Sequence, residues 1–265
     1  MHLKRWLTGI VALPFLIYLI GFAPRGLFHL FLAGAALAGL YEFLRMVVPG
    51  LPGTLKAVAA GLALLLFWTI DRGPFFLFPA VLSLSVIAPL VFHLFSDPQR
   101  RADALDHAGK ILLGLVYVVL PLAMLVLMDH HPAGNVWIFF LLAVVFASDT
   151  GAFYFGRFFG RTRLHPSVSP GKTWEGAVGG LVCSLVPVYF FQHFFHVGKV
   201  SVFFLALALS GIGQIGDLAE SMMKRSFGVK DSGNLLPGHG GILDRIDGVL
   251  FATPLLYAYL TWVAR

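Results

Sequence analysis

The chain has 265 residues, of which 58% are hydrophobic and only 12% are charged. Soluble domains contain about 45–50% apolar and about 25% charged residues, so this composition excludes an ordinary soluble protein. The net charge of +6 does not indicate a nucleic-acid-binding protein, because the basic residues follow a pattern typical of membrane proteins.

Long apolar segments recur along the whole chain. Most contain no charged residue, and each is near or above the roughly 17 residues that a helix needs to cross the hydrocarbon core. Two are less regular, because one contains Glu42 and another is short. The sequence therefore predicts an all-α, polytopic integral membrane protein with about nine transmembrane helices. The predicted spans are residues 6–22, 26–48, 54–70, 73–96, 111–128, 132–148, 176–198, 200–216 and 248–264.

The positions of Lys and Arg predict the orientation in the membrane. Nine spans with a cytoplasmic N-terminus place the C-terminus outside, and only four of the 19 basic residues then fall in outer segments. This is the positive-inside pattern. Anionic lipid and an anionic substrate, and no nucleic acid, are therefore the expected partners. The four outer residues are Arg25, Arg72, Lys199 and Arg265.

The chain divides into two parts by its polar content. Residues 1–140 predict a scaffold of N-terminal transmembrane helices, and residues 141–265 predict transmembrane helices with cytoplasmic catalytic loops. Glu42 is an acidic residue inside a predicted span, where ionisable groups are costly and often functional. Because Arg45 is close by and the span ends nearby, we expect an ion pair at the membrane interface.

Polar residues of the second part concentrate in two stretches, 148–176 and 216–247. Both begin at the end of one span and run to the start of the next, and the predicted topology puts them on the same, cytoplasmic face. Two segments on one face can form a shared site.

The second stretch contains acidic residues at helical spacing. Asp217, Glu220, Ser221 and Lys224 are spaced i, i+3, i+4 and i+7, so that they lie along one face of a helix. Asp244 and Asp247, at i and i+3, share a face where the last span begins.

Carboxylate ligands without a usable cysteine favour Mg²⁺, which takes a few carboxylates and completes its shell with water and phosphate. Cations nearby would bind phosphate oxygens. Together they are typical of phosphoryl or nucleotidyl transfer. The alternative is that these charges are loop residues paired with each other. The cations are Lys172, Lys224, Arg225, Lys230 and Arg245.

The glycine-rich segment 237–241 supports an anion site, because glycines let backbone amides approach an anion closely. His239 in this segment could bind phosphate or transfer a proton, and it could equally well only orient the loop.

Two apparent nucleotide motifs are rejected. Residues 211–216 have the pattern G-x-G-x-x-G, but a dinucleotide-binding turn must follow a strand. Close helix packing through small residues explains this segment better. The sequence Gly171-Lys172-Thr173 lacks the first glycine of a P-loop, because that position is Pro166.

The second polar stretch contains a long motif, formed by residues 221–231, the glycine-rich segment 237–241 and Asp244-Arg245-Ile246-Asp247. This motif resembles the signature of the phosphatidate cytidylyltransferases, also called CDP-diacylglycerol synthases. The stretches 148–151 and 169–176 are also similar to family motifs. Gly248 departs from the family pattern, which has a small hydroxyl residue there.

The resemblance implies an all-helical enzyme that transfers CMP from CTP to phosphatidic acid and releases pyrophosphate. It implies Mg²⁺ held by Asp217 and Asp244, together with Asp247, and a monovalent cation such as K⁺ beside it. It also implies a homodimer in the membrane lipid of a bacterial inner (cytoplasmic) membrane, with an active site that faces the cytoplasm.

We expect the following roles in such a reaction. Lys224, Arg225 and Arg245 hold the triphosphate or the lipid phosphate, and Lys172 with Ser169 closes the site from the other stretch. Asp149 is either a metal ligand or a residue behind the ligands. Further substrate-binding candidates are Ser221, Lys230 and His239.

Two other functions compete with this prediction. A CDP-alcohol phosphotransferase needs the pattern D-G-x-x-A-R with later aspartates four residues apart, whereas Asp244 and Asp247 are three apart and no such pattern occurs. An ion-coupled transporter would have acidic residues spread through the span centres. In this chain they gather at one membrane face.

Overall fold

The structure, a computed structural model, describes residues 13–96, 98–195, 198–233, 235 and 240–262. His239 and the first part of the predicted span 6–22 lie outside these ranges. Helix α1 is described over 13–21. The other helices are α2 (Arg25–Val47), α3 (Gly53–Asp71), α4 (Phe78–Leu94), α5 (Ala104–Gly114), α6 (Leu120–Asp129), α7 (Gly134–Phe159), α8 (Trp174–Cys183), α9 (Val186–Phe191), α10 (Lys199–Ser226) and α11 (Leu243–Trp262).

The all-α, polytopic membrane fold is confirmed. Each predicted span overlaps one helix or two consecutive helices, and a π-helical turn over Leu115–Val119 joins α5 to α6. Within the described ranges, six helical segments are long and apolar enough to cross a membrane; α4 is apolar but shorter, and the number nine is approximate. The six segments are Arg25–Val47, Gly53–Asp71, Arg101–Asp129, Gly134–Phe159, Trp174–Phe191 and Val200–Ser226.

The first of two compact units comprises Met1–Leu127 and Asp231–Leu243. Its interior contains fully buried side chains from α2, α3 and α5, among them Phe43, Leu66 and Ile111. A buried contact between His93 Nε2 and His107 Nδ1, at 2.9 Å, joins α4 to α5. Apolar burial is the main stabilising term in this unit, and polar contacts such as this one add to it.

Glu42 in this unit does not form the expected interfacial ion pair. Its side chain is buried, with 2% of the residue exposed, and its Oε2 accepts a hydrogen bond from the backbone N–H of Leu243 at 3.0 Å. Arg45, by contrast, is exposed. The prediction was wrong because the one-turn spacing to Arg45 is a local signal, whereas the actual partner is distant in sequence.

The second unit comprises Met128–Lys230 and Asp244–Arg265. Glycines let its helices α7 and α8 pack closely: a Cβ at Gly151 would collide with the Cys183 side chain, and one at Gly179 with Phe155. Small residues at such positions allow helices in membranes to pack through their backbones.

Helix α7 extends further than predicted. The predicted span ended at residue 148, but the helix continues to Phe159. Asp149 therefore lies within a helix and not at the start of a loop. The added turns contain exposed aromatic residues, among them Phe153, Tyr154 and Phe158. Aromatic side chains are typical of the membrane–water interface, so the helix can continue through that region. The charged residue Asp149 therefore lies before the end of the helix and does not mark it.

A short β-hairpin follows α7 in place of an irregular loop. Strand β1 (Arg163–His165) pairs antiparallel with β2 (Ser169–Thr173), with Arg163 opposite Thr173. Helix α8 begins directly after β2, and the Oγ1 of Thr173 accepts a hydrogen bond from the Gly176 N–H at 3.1 Å. This is an N-cap, and it fixes the direction in which the hairpin meets the helix.

The G-x-G-x-x-G segment lies inside α10, as the packing interpretation predicts. A Cβ at Gly216 would lie 2.8 Å from the backbone oxygen of Asp247 and 2.8 Å from Phe251 Cβ, so α10 and α11 are in close contact there. The segment is helical throughout, and it forms no dinucleotide-binding turn.

Candidate active site

One face of α10 is polar near the C-terminal end of the helix. Asp217, Glu220, Ser221 and Lys224 all lie within the continuous helix Lys199–Ser226, so their spacing places them along one face. Burial increases from Asp217, whose side chain is 38% exposed, to Glu220, which is fully buried. A buried carboxylate is unfavourable without a cationic partner.

Lys224 is the partner of two carboxylates from two helices. Its Nζ donates to Glu220 Oε2 at 2.6 Å and to Asp244 Oδ1 at 2.7 Å. The Lys224 and Asp244 side chains are 12% and 9% exposed. This charge cluster joins α10 to the first turn of α11. Its ammonium group is thus engaged by two acids. The expected role of Lys224 in phosphate binding stays a prediction.

Lys172 brings the hairpin to α10. Its Nζ lies 2.6 Å from Oδ2 of Asp217. The hairpin itself is anchored, because the Glu175 carboxylate accepts hydrogen bonds from the Thr162 N–H at 3.1 and 3.2 Å. The structure thus places residues of the two polar stretches, which are distant in sequence, in direct contact.

Asp149 and Asp247 add negative charge beside this pair. Asp247 interacts electrostatically with Asp217, Glu220 and Asp149, and Asp149 interacts with Asp217 and Lys172. Asp247 also accepts a hydrogen bond at Oδ1 from the Gly248 N–H, at 2.7 Å. Carboxylates from α7, α10 and α11 therefore converge on one region. The positively charged side chain of Lys172 lies beside them.

A network of hydrogen bonds involves residues that precede two of these acids in the sequence, Ser148 before Asp149 on α7 and Gln214 before Asp217 on α10. Ser148 Oγ and Ser210 Oγ are 2.7 Å apart, and the Gln214 side chain donates to Ser148 Oγ and to the Ala177 carbonyl, each at 3.2 Å. The network ties α7, α8 and α10 together. Sequence reasoning missed it; the available signal was Gln214, one helical turn before Asp217.

The structure also describes the remaining predicted residues, with the exception of His239. Ser221 Oγ is 3.5 Å from Asp217 Oδ1, and Ser169 is the first residue of β2. Arg225 is exposed and donates to the Val229 carbonyl over 3.5 Å, a long contact. Lys230 and Arg245 are also exposed. The position of His239 is not described.

The donor set fits a hard divalent cation. Its ligand candidates are all carboxylate oxygens, which Mg²⁺ prefers, and their mutual repulsion would be relieved by a bound cation. Buried Glu220 Oε1 also has no hydrogen-bond partner in the described part of the chain. Among described residues, the oxygens of Asp149, Asp217 and Asp247 do not all lie within 4.8 Å of one another. Ion binding would therefore require the side chains to move closer together.

Comparison with known proteins identifies the family. A model of the "Cytidylyltransferase family" matches residues 3–263, nearly the whole chain. The chain belongs to this family. It is 37% identical to a phosphatidate cytidylyltransferase of Staphylococcus saprophyticus, over 95% of this chain and 96% of the relative. It is 33% identical to that of Bacillus subtilis, over 97% of each, and 36% identical to that of Staphylococcus epidermidis, over 95% and 96%. The family resemblance stated from the sequence motifs is confirmed.

Proposed function

We propose that this chain transfers CMP from CTP to phosphatidic acid, which yields CDP-diacylglycerol and pyrophosphate. The observation that supports this most directly is the convergence of Asp149, Asp217 and Asp247 beside Lys172, in helices that can cross a membrane. The relatives from Staphylococcus saprophyticus and Bacillus subtilis are phosphatidate cytidylyltransferases, and this chain aligns with almost their whole length. Acids for a metal and a lysine for phosphate suit a reaction between two anions.

The chemistry requires neutralisation of charge. A phosphate oxygen of phosphatidate attacks the α-phosphorus of CTP, a new P–O bond forms, and the bond to the β-phosphate oxygen breaks so that pyrophosphate leaves. The phosphate nucleophile is ionised at neutral pH, and no strong general base is needed. Lys172, at the edge of the acidic region, binds a phosphate oxygen of one substrate.

Mg²⁺ is the metal that this donor set favours. Asp217 and Asp247 would hold it, with Asp244 from the same turn of α11 and with Asp149 as a ligand or a residue behind the ligands. When bound, the ion supplies positive charge that offsets the repulsion between the two phosphate-bearing substrates. A monovalent cation such as K⁺ beside the Mg²⁺ belongs to the same proposal.

The membrane setting follows from the substrates. CTP cannot enter the hydrocarbon, and the acyl chains of phosphatidate cannot leave it, so the site must lie at an interface open to both. We place this interface on the cytoplasmic side of a bacterial inner membrane, with the N-terminus inside and the C-terminus outside. The positive-inside distribution of Lys and Arg supports this orientation. A homodimer is the expected assembly.

The test is a reconstituted assay. Purified protein in detergent is incubated with CTP, phosphatidate and Mg²⁺, and the lipid products are analysed by mass. The expected result is CDP-diacylglycerol with an equal amount of pyrophosphate, and loss of both when the metal is chelated. A parallel incubation with CDP-diacylglycerol and an alcohol should give no phospholipid. Product in that incubation, and none with CTP, would overturn the proposal in favour of a CDP-alcohol phosphotransferase.

A further inference from the structure

Glu42 binds a segment that is far away in the sequence. It lies on α2, and its Oε2 accepts hydrogen bonds from the backbone N–H of Leu243 at 3.0 Å and, over a long 3.5 Å, from Ser232 Oγ. Both donors belong to the segment Asp231–Leu243, which packs with the first compact unit. Glu42 therefore anchors both ends of a segment that contains the glycine-rich part of the family motif.

The fit around the carboxylate is close. A Cβ at Gly233 would collide with Oε1 of Glu42, and a Cβ at Gly241 would collide with Oε2. The backbone can approach the carboxylate only because both positions are glycine. Both oxygens thus face the same segment, one at Gly233 and the other at Gly241.

The contact with Leu243 is also a helix cap. Leu243 is the first residue of α11, and the first N–H groups of a helix have no partner within it. A carboxylate at this position both accepts the hydrogen bond and interacts favourably with the helix dipole. Asp244 follows in the first turn of the same helix, and Asp247 lies three residues further along.

Glu42 is an ionisable residue in a helix that is long and apolar enough to cross a membrane. Ionisable side chains within membrane spans are costly and mark functional sites, and Glu42 is 2% exposed. One of its oxygens, Oε1, has no hydrogen-bond partner in the described ranges. The other oxygen makes the two hydrogen bonds described above, and their effect is to fix the position of the motif segment.

We propose that Glu42 is a positioning residue: its carboxylate holds Ser232 and Leu243, on the two sides of the glycine-rich part of the motif. Through Leu243 it fixes the point at which the chain continues into Asp244 and Asp247. This inference rests on the proposed function for its catalytic consequence. It assigns a specific task to α2, in the part of the chain that the sequence indicates only as scaffold.

Two variants at position 42 separate anchoring from mere packing. Glu42→Leu keeps a similar volume and removes both acceptors, whereas Glu42→Gln keeps one carbonyl oxygen for the Leu243 N–H. Glu42→Leu should lower kcat about 10–100-fold, the range for residues that orient ligands, and Glu42→Gln should keep most of the activity. Asp106→Asn, in an exposed pair with Lys110, is the matched control and should remain unchanged.

Hydrogen–deuterium exchange gives a readout that does not depend on catalysis. In Glu42→Leu, exchange should rise in peptides that contain Ser232, Gly233, Gly241 and the first turn of α11, and stay unchanged in α3 and α5. Gly241→Ala, which pushes against the carboxylate, should show the same local increase. A uniform rise throughout the chain, or no local rise in either variant, would overturn the inference.

The same experiment keeps the two proposals distinct. If the wild-type protein makes no CDP-diacylglycerol, the proposed function fails, while the local exchange pattern still tests the anchor. If the wild-type protein is active and Glu42→Leu has normal kcat, the positioning role fails and the proposed function stands.

Discussion

Lys172 Nζ and Asp217 Oδ2 lie 2.6 Å apart, a contact between the β-hairpin and helix α10. The side chains are 27% and 38% exposed, so this ion pair is open to a ligand. Partly exposed ion pairs contribute little to folding stability, typically about 0–1 kcal/mol. Its place beside Asp149 and Asp247 suits the proposed binding of an anionic substrate and a cation.

Removal of the Lys172 ammonium should impair catalysis without unfolding the protein. Lys172→Ala should reduce kcat/KM for CTP and phosphatidate about 10–100-fold, which corresponds to the loss of one charge-assisted hydrogen bond. Lys172→Arg should retain part of the activity. Lys110→Ala, which removes a lysine from an i,i+4 pair on α5, is the control and should have normal kinetics. Equal kinetics of Lys172→Ala and wild type would show that this lysine does not contact substrate.

Lys224 should be required for folding as well as for activity. Lys224→Met leaves the buried acids Glu220 and Asp244 without their common cation, and loss of one partner of a buried pair costs about 3–5 kcal/mol. We expect a lower thermal midpoint and poor accumulation in the membrane. Lys224→Met combined with Glu220→Gln should recover part of the thermal stability, because one unpaired charge is removed. If Lys224→Met were as stable as wild type, this charge cluster would be contradicted.

Two glycines of the same helix should respond oppositely to the same substitution. A Cβ at Gly216 would meet Asp247 and Phe251 of α11. A Cβ at Gly211 would have no atom within 4 Å other than those of its own helical backbone and its chain neighbours. Gly216→Ala should therefore destabilise the protein by about 1–3 kcal/mol and displace Asp247. Gly211→Ala should be neutral or stabilising by up to about 1 kcal/mol. Thermal unfolding in detergent measures both, and equal midpoints would contradict the close packing of α10 on α11.

Much of the fold could be predicted because hydrocarbon-spanning helices need long apolar segments. Helix ends were harder to predict: α7 runs past Asp149 to Phe159, since a charged residue directed toward a polar site does not end a helix. The spacing of Asp217, Glu220 and Lys224 correctly indicated one face of α10. The pairing of Lys224 with Asp244 depends on how two helices pack, and spacing along one helix carries no information about this.

Distant contacts set the limit of sequence reasoning for the site. Lys172 was expected near the acids because topology puts both polar stretches on one face, and the structure gives its partner as Asp217. Glu42 was assigned to Arg45 because they are neighbours on one helix, whereas its hydrogen bonds reach Ser232 and Leu243. A long-range hydrogen bond leaves no periodic pattern in the sequence.

The central claim is tested most directly by following the phosphates of CTP. Wild-type protein and Asp217→Asn are incubated with phosphatidate, Mg²⁺ and CTP that is labelled at either the α- or the γ-phosphate. We expect wild type to transfer the α-label to lipid and to release the γ-label as pyrophosphate. Asp217→Asn, although folded, should lose at least about 100-fold in rate. Transfer of the γ-label to lipid, or a normal rate in Asp217→Asn, would contradict the central claim.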